Sequence, residues 1–160
     1  MDELKDKPVL VVGLGARGRA ACELLREGGA RVFAADAADT EDLRAATAGL
    51  RALGVEVELG VTNAPDQPFS LAVVSPAVPG NAPVIREIMR RNVPIIGEFE
   101  LGCRQSQCLN ITVAGTNGKS STAELIERLL TRGKRKTLLA GHGARPLCGV
   151  AAQTKDLDFL

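Results

Sequence analysis

Two glycine-rich turns hold the residues of this chain whose types and spacing could do chemistry. The first, Gly13-Leu14-Gly15-Ala16-Arg17-Gly18, stands between an apolar run, Pro8 to Val12, and a stretch with helical periodicity. In such a turn the first glycine permits the tight bend and the second lets a ligand's phosphates approach the backbone. The third allows close helix packing, while the helix N-terminus presents free N–H groups and the positive end of its dipole. Asp36 closes the next strand-like run, eighteen residues past Gly18, where an acid can accept a hydrogen bond from a ribose or a base. The residues alone point to a nucleotide with a diphosphate, commonly NAD. A glycine turn serving only packing is the plain alternative.

The second turn, Gly115-Thr116-Asn117-Gly118-Lys119-Ser120, also falls between a strand-like run, Ile111 to Ala114, and a helix-like one. Its successive backbone N–H groups suit a polyphosphate, with Lys119 neutralising the terminal phosphates and the Ser120 hydroxyl available to Mg²⁺. The general phosphate-loop pattern places a glycine five residues before Gly118, where this chain has Val113, so the loop is a shortened variant.

Thiol and zinc chemistry have thin support. Cys22, Cys103, Cys108 and Cys148 include no CxxC pair, and His142 is the only histidine. No second close Cys or His pair completes a zinc set, and a catalytic thiol would lack a nearby base. The cysteines read as reduced, small apolar residues. Composition narrows the classes further. The 160 residues are 45% hydrophobic and 24% charged, the balance of a globular protein. Twenty basic residues against nineteen acidic leave a net charge of +1, which gives no general reason to bind nucleic acid. The chain has neither Trp nor Tyr, which excludes aromatic stacking platforms. No apolar run approaches the roughly 20 residues of a membrane span, and the charged N-terminus does not read as a signal peptide. A cytoplasmic protein is the expectation.

The elements that must position the two turns alternate. Strands are expected at Pro8 to Val12, Arg31 to Asp36, Val55 to Leu59 (an edge strand), Leu71 to Val74 and Val93 to Ile96. Between them, helices are expected over Arg17 to Glu27, from an N-cap at Thr40 to about Leu53, over Pro83 to Arg91, and over Phe99 to Gln107. Ile111 to Ala114, Thr137 to Ala140 and Leu157 to Leu160 read as further strands around a helix over Ser120 to Arg132. The alternation predicts parallel α/β architecture. Only 41 residues follow Lys119, so we expect one whole domain followed by the opening of a second.

The segments VVGLGARG, GARVFAAD, VVSPAVP, IIGEFEL, ITVAGTNGKSS and AGHGARPLC, in this order and across nearly the whole chain, resemble the Mur ligase family. GTNGKS is shared with relatives such as folylpolyglutamate synthetases, whereas the GLG turn followed by SPxxP and GEFEL is similar to the members that add D-glutamate. The resemblance implies a Rossmann-like UDP-sugar domain over residues 1–95, a linker over 96–109 and the incomplete start of a P-loop ATP-binding domain over 110–160. It implies that Gly13, Gly15, Ala16, Arg17 and Gly18 cradle the diphosphate of UDP-N-acetylmuramoyl-L-alanine. Asp36 would face the uridine, Ser75, Pro76 and Ala77 would border the uracil, and His142 would take a substrate-contacting position.

Gly115, Thr116, Asn117, Gly118, Lys119, Ser120 and Ser121 would bind ATP and Mg²⁺, with Lys119 the catalytic residue and Ser120 a magnesium ligand. The implied reaction activates a carboxylate as an acyl phosphate, which the amine of D-glutamate then attacks. Three positions depart from the family's pattern: Arg17 stands where Ser or Thr is frequent, Ala77 where SPG has its glycine, and His142 where GNIG has its asparagine. The linker placement favours a structural role for Glu98 and Glu100. The 160-residue chain by itself is expected to be inactive. An NAD-binding dehydrogenase module is the runner-up, and a GKS turn has no use in it; a non-catalytic nucleotide-sensing module is a third reading.

Overall fold

A computed structural model describes residues 2–141 and 145–160. Five parallel strands form one sheet: β1 (Pro8–Val12), β2 (Arg31–Asp36), β3 (Glu56–Leu59), β4 (Leu71–Val74) and β5 (Ile95–Gly97), in the spatial order β3-β2-β1-β4-β5. Four helices alternate with them: α1 (Ala16–Glu27), α2 (Glu41–Ala52), α3 (Pro83–Arg90) and α4 (Glu98–Gln105). Val9 pairs with Val32 on one side of β1 and with Leu71 on the other. As the central strand, β1 is covered on both faces, which explains its uninterrupted apolar run.

Successive side chains of β1 serve opposite layers. Val9 and Val11 join Leu14, Ala21, Leu25, Val32, Val73 and Leu101 in one core, with α1 and α4 above it. Leu10 and Val12 join Ala72, Phe69, Val84, Ile85 and Ile88 in the other, beneath α3. Leu25 is wholly buried, and its truncation to alanine would cost about 2–5 kcal/mol. The α2 cap is local chemistry: Thr40 Oγ1 accepts the N–H of Leu43 at 3.2 Å, and Glu41 and Asp42 occupy the first turn, next to the positive dipole end.

The first 105 residues follow the expected order with small shifts. The fifth strand starts at Ile95, not Val93, because the chain leaving α3 is still turning there. Asn92 has φ +55° and the Val93 N–H returns to Ile88 O. The later strands are a correction. Ile111 to Ala114, Thr137 to Ala140 and Leu157 to Leu160 do not form strands. Only isolated parallel bridges occur there among the described residues, Leu109 with Phe159 and Thr137 with Phe159, so Phe159 lies between Leu109 and Thr137. Their apolar residues find little to pack on: α5 (Lys119–Arg132) buries no residue, and Leu125 and Leu129 are 57% and 58% exposed.

Candidate functional site

The chain runs from β1 outward to β2 and β3, then crosses to β4 and β5, so neighbouring connections diverge between β1 and β4. In open parallel sheets that divergence leaves a crevice at the carboxyl ends of the strands. Here it is a cleft of about 260 Å³. Its walls include Gly13 and Gly15, Asp36, Ser75 and Ala77, together with Val61, Thr62 and Pro79. Five residues singled out from the sequence thus meet in one place. Ala16, Arg17 and Gly18 form the first turn of α1 beside it, and Pro76 is exposed in the turn after β4.

The glycine turn is built by close approaches. Gly13 has φ +88°, and a Cβ there would lie 2.8 Å from Ser75 Cβ and Val78 Cγ2. At Gly18 a Cβ would fall 1.8 Å from the Gly13 carbonyl oxygen, so only glycine lets α1 dock on the turn. Gly15 differs, since a Cβ there would meet nothing within 4 Å. Among the described residues no packing requires that glycine, and the space above the turn is open.

Electrostatics favour an anion there. The first intrahelical bond of α1 runs from Arg19 N to Gly15 O, so the N–H groups of Ala16, Arg17 and Gly18 have no intrahelical partner. The first turn has no acidic residue but carries Arg17 and Arg19, cations at the positive end of a helix, where they are unfavourable unless an anion joins them. Arg19 Nη1 donates to Leu14 O at 3.0 Å. Arg17 is half-exposed, and its guanidinium has no hydrogen-bond partner among the described residues.

Two positions behave in ways the residue types do not show. The Asp36 carboxylate is turned onto backbone: Oδ2 accepts the N–H of Leu14 at 2.6 Å and Oδ1 that of Ala38 at 2.9 Å. Ser75 is buried, its N–H donating to Val12 O at 2.9 Å, and its Oγ accepts the Ala77 N–H at 3.4 Å. Sequence reasoning also missed the wall formed by Val61 and Thr62. The available signal was their position just after β3, at the carboxyl edge where ligands bind in this kind of sheet.

In the second turn, Gly118 adopts a left-handed conformation (φ +76°) at the N-cap of α5. The first intrahelical bond there is Thr122 N to Gly118 O, which leaves the N–H groups of Lys119, Ser120 and Ser121 for an external acceptor. Lys119 Nζ lies back over the loop, donating to Gly115 O at 2.7 Å and Thr116 O at 3.2 Å. Thr116, Asn117, Ser120 and Ser121 are exposed. A cavity of about 180 Å³ joins Lys119 and Ser120 to Phe99 and Cys103 of α4 and to Gly141. His142 lies outside the described residues.

Three of the thiols are held in their protonated form by their surroundings. Burial, then the charge of Glu23, pushes Cys22 up to about 12. Burial, then Glu98, pushes Cys148 up as well. Cys103 is raised by burial, Glu98 and Glu100. Glu98 itself is 2% exposed and accepts the Cys148 N–H at 2.7 Å, tying the start of α4 to a segment fifty residues later.

No protein-family model matches the chain. It is 41% identical over 154 residues to the UDP-N-acetylmuramoylalanine--D-glutamate ligase of Frankia casuarinae, covering 96% of this chain and 33% of that protein. The ligase of the same name from Streptococcus pneumoniae strain CGSP14 is 35% identical over 162 residues, covering 100% of this chain and 36% of that protein. The one from Geobacillus sp. strain WCH70 is 34% identical over 158 residues, covering 98% and 35%. The chain therefore spans about a third of the length of the curated relatives it matches, their N-terminal portion.

Among solved structures, the murein peptide ligase of Psychrobacter arcticus aligns with a TM-score of 0.56 at 21% identity, over 82% of this chain and 28% of that one. The UDP-N-acetylmuramate-alanine ligase of Thermotoga maritima aligns with a TM-score of 0.54 at 23% identity, over 84% and 31%. Both likenesses bear on the fold.

Proposed function

We propose that this chain, a homologue over its whole length of the N-terminal third of Mur ligases that add D-glutamate, holds a UDP-linked sugar at its first glycine turn. ATP with Mg²⁺ takes the second turn. The protein to which the chain corresponds would join D-glutamate to UDP-N-acetylmuramoyl-L-alanine for peptidoglycan synthesis, with residues 1–95 as the nucleotide-sugar domain, 96–109 as a linker and 110–160 as part of the ATP-binding domain. One observation carries this reading: two helices of one chain begin at glycine turns, their first N–H groups have no partner among the described residues, and each has a cation at its start.

At the first turn, the N–H groups of Ala16, Arg17 and Gly18 and the α1 dipole would hold the diphosphate, and the open space over Gly15 admits it. Arg17 supplies a planar fork matched to two phosphate oxygens. Ala77 and Ser75 would close the nucleoside end of the cleft. At the second turn Lys119 would exchange its contacts with Gly115 O and Thr116 O for phosphate oxygens, neutralising charge where it develops. Among the described residues no group of three His, Cys, Asp or Glu side chains could hold a metal ion. A magnesium ion here would rest on Ser120 and on phosphate oxygens, a pattern that Mg²⁺ favours. When bound, ATP supplies the phosphoryl group that activates the substrate carboxylate as an acyl phosphate for attack by an amine.

The dehydrogenase reading has less support. A dinucleotide module of that kind leaves the second glycine turn, with Lys119 folded over it at the start of α5, without a use. Calorimetric titration separates the two readings. We expect UDP-N-acetylmuramoyl-L-alanine and UDP to bind and NAD not to; tight NAD binding with no response to UDP would overturn the assignment.

A further inference from the structure

Leu14 lies between two glycines in the first turn and is wholly buried, so its polar backbone has no water to turn to. The protein answers with a side chain on each side. Its N–H donates to Asp36 Oδ2 at 2.6 Å, from the end of β2, and its carbonyl accepts from Arg19 Nη1 at 3.0 Å, from the first turn of α1. Two successive peptide planes, Gly13–Leu14 and Leu14–Gly15, are thereby each held by a different element.

The first of those planes also carries the Gly13 carbonyl, the oxygen against which Gly18 is packed closely enough to exclude any Cβ. In a trans peptide the carbonyl and the N–H point in opposite directions. Holding the Leu14 N–H therefore aims the Gly13 carbonyl at α1 and sets where the helix begins. The second plane leads directly into Gly15 and the unpaired N–H groups of Ala16, Arg17 and Gly18. The other Asp36 oxygen accepts the Ala38 N–H at 2.9 Å, so each carboxylate oxygen carries one backbone hydrogen bond.

We propose that Asp36 is a positioning residue that shapes the anion cradle through Leu14, and so acts on the phosphate end of a bound nucleotide. This rests on the reading of the first turn as a diphosphate site. It goes beyond the expected hydrogen bond from the ribose or the base, for which the carboxylate keeps acceptor sites. A carboxylate that reads the nucleoside weakens uridine and UDP alike when removed. One that holds the cradle weakens UDP more than uridine.

The test titrates uridine and UDP into the full chain and into Asp36→Ala and Asp36→Asn, and follows amide exchange at Leu14 relative to Val11, which reports the central strand. For Asp36→Ala, UDP affinity falls by about tenfold or more, the usual scale for losing a hydrogen bond to a charged group, and uridine affinity falls by a clearly smaller factor. Leu14 exchange accelerates by a similar factor relative to Val11. Asp36→Asn keeps one acceptor and gives a smaller effect in the same direction, which preserves the test if the alanine variant does not fold. Equal loss for uridine and UDP, or unchanged Leu14 exchange, overturns the proposal. A wild-type chain that binds neither compound overturns the diphosphate reading instead, and the exchange ratio still decides whether Asp36 holds the turn.

Discussion

Glu98, the first residue of α4, accepts the backbone N–H of Cys148 at 2.7 Å, while the Cys148 thiol donates to the Glu98 carbonyl at 3.3 Å. This reciprocal pair joins the helix that follows the sheet to the segment that follows Gly141. Both residues are buried, and the carboxylate sits at the favourable end of a helix dipole.

Glu98→Ala should orphan the buried Cys148 N–H and cost about 1–3 kcal/mol. Urea unfolding measures the loss, and amide exchange at Leu147 and Cys148 locates it. Glu98→Gln, which retains an acceptor, should cost less. Equal stability of Glu98→Ala and the wild type would show that the bond contributes nothing.

A second contact ties α3 to the loop between β3 and β4. Glu87 on α3 bonds the Arg91 guanidinium and also accepts the Ala64 N–H at 3.2 Å. Arg91, then Ala64, hold its carboxyl below the usual carboxylate range against an opposing effect of burial. A depressed folded value means that its stabilisation is complete above the unfolded carboxyl's value and is lost as pH falls through the folded one. Melting temperatures of wild type and Glu87→Gln should therefore differ at about pH 7 and converge toward about pH 3. A constant gap across that range would refute the linkage.

Hydrogen exchange should divide the chain. Strands β1, β2 and β4 lie within two closed cores, whereas α5 buries no residue, and an isolated helix of its length is marginal in water. Residues 8–96 should be protected and 119–141 should exchange much faster. Equal protection would mean that the exposed leucines of α5 are covered in solution.

The sequence made the sheet legible because β1, β2 and β4 carry apolar runs bounded by glycine, an acidic residue or Ser-Pro, because β3 alternates acidic and apolar residues as an edge strand does, and because Thr40 caps α2 through its own side chain. The later strands misled. Ile111 to Ala114 and Leu157 to Leu160 are apolar enough to be strands, but a strand also needs partners along its length, and Phe159 meets each neighbour at a single bridge. In the cleft, glycine spacing pointed to Gly13, Gly15 and Asp36. The direction of the Asp36 carboxylate depends on where the Leu14 N–H points, and no residue type records that.

The two turns should be separable by substitution. Lys119→Ala should lower affinity for ATP with Mg²⁺ by about tenfold or more, because a charged donor to the phosphates is lost. Affinity for UDP should remain within about twofold, since the first turn belongs to a different helix. Calorimetry on the variant checks both, and a matching loss of UDP affinity would place Lys119 in the nucleotide-sugar site.

Ligand-mapped hydrogen exchange tests the central claim most directly. Adding UDP-N-acetylmuramoyl-L-alanine should protect residues 13–18 and 75–79, and adding ATP with Mg²⁺ should protect 115–121, while NAD changes neither set. Protection of 13–18 by NAD alone, or one nucleotide protecting both turns, would contradict the account.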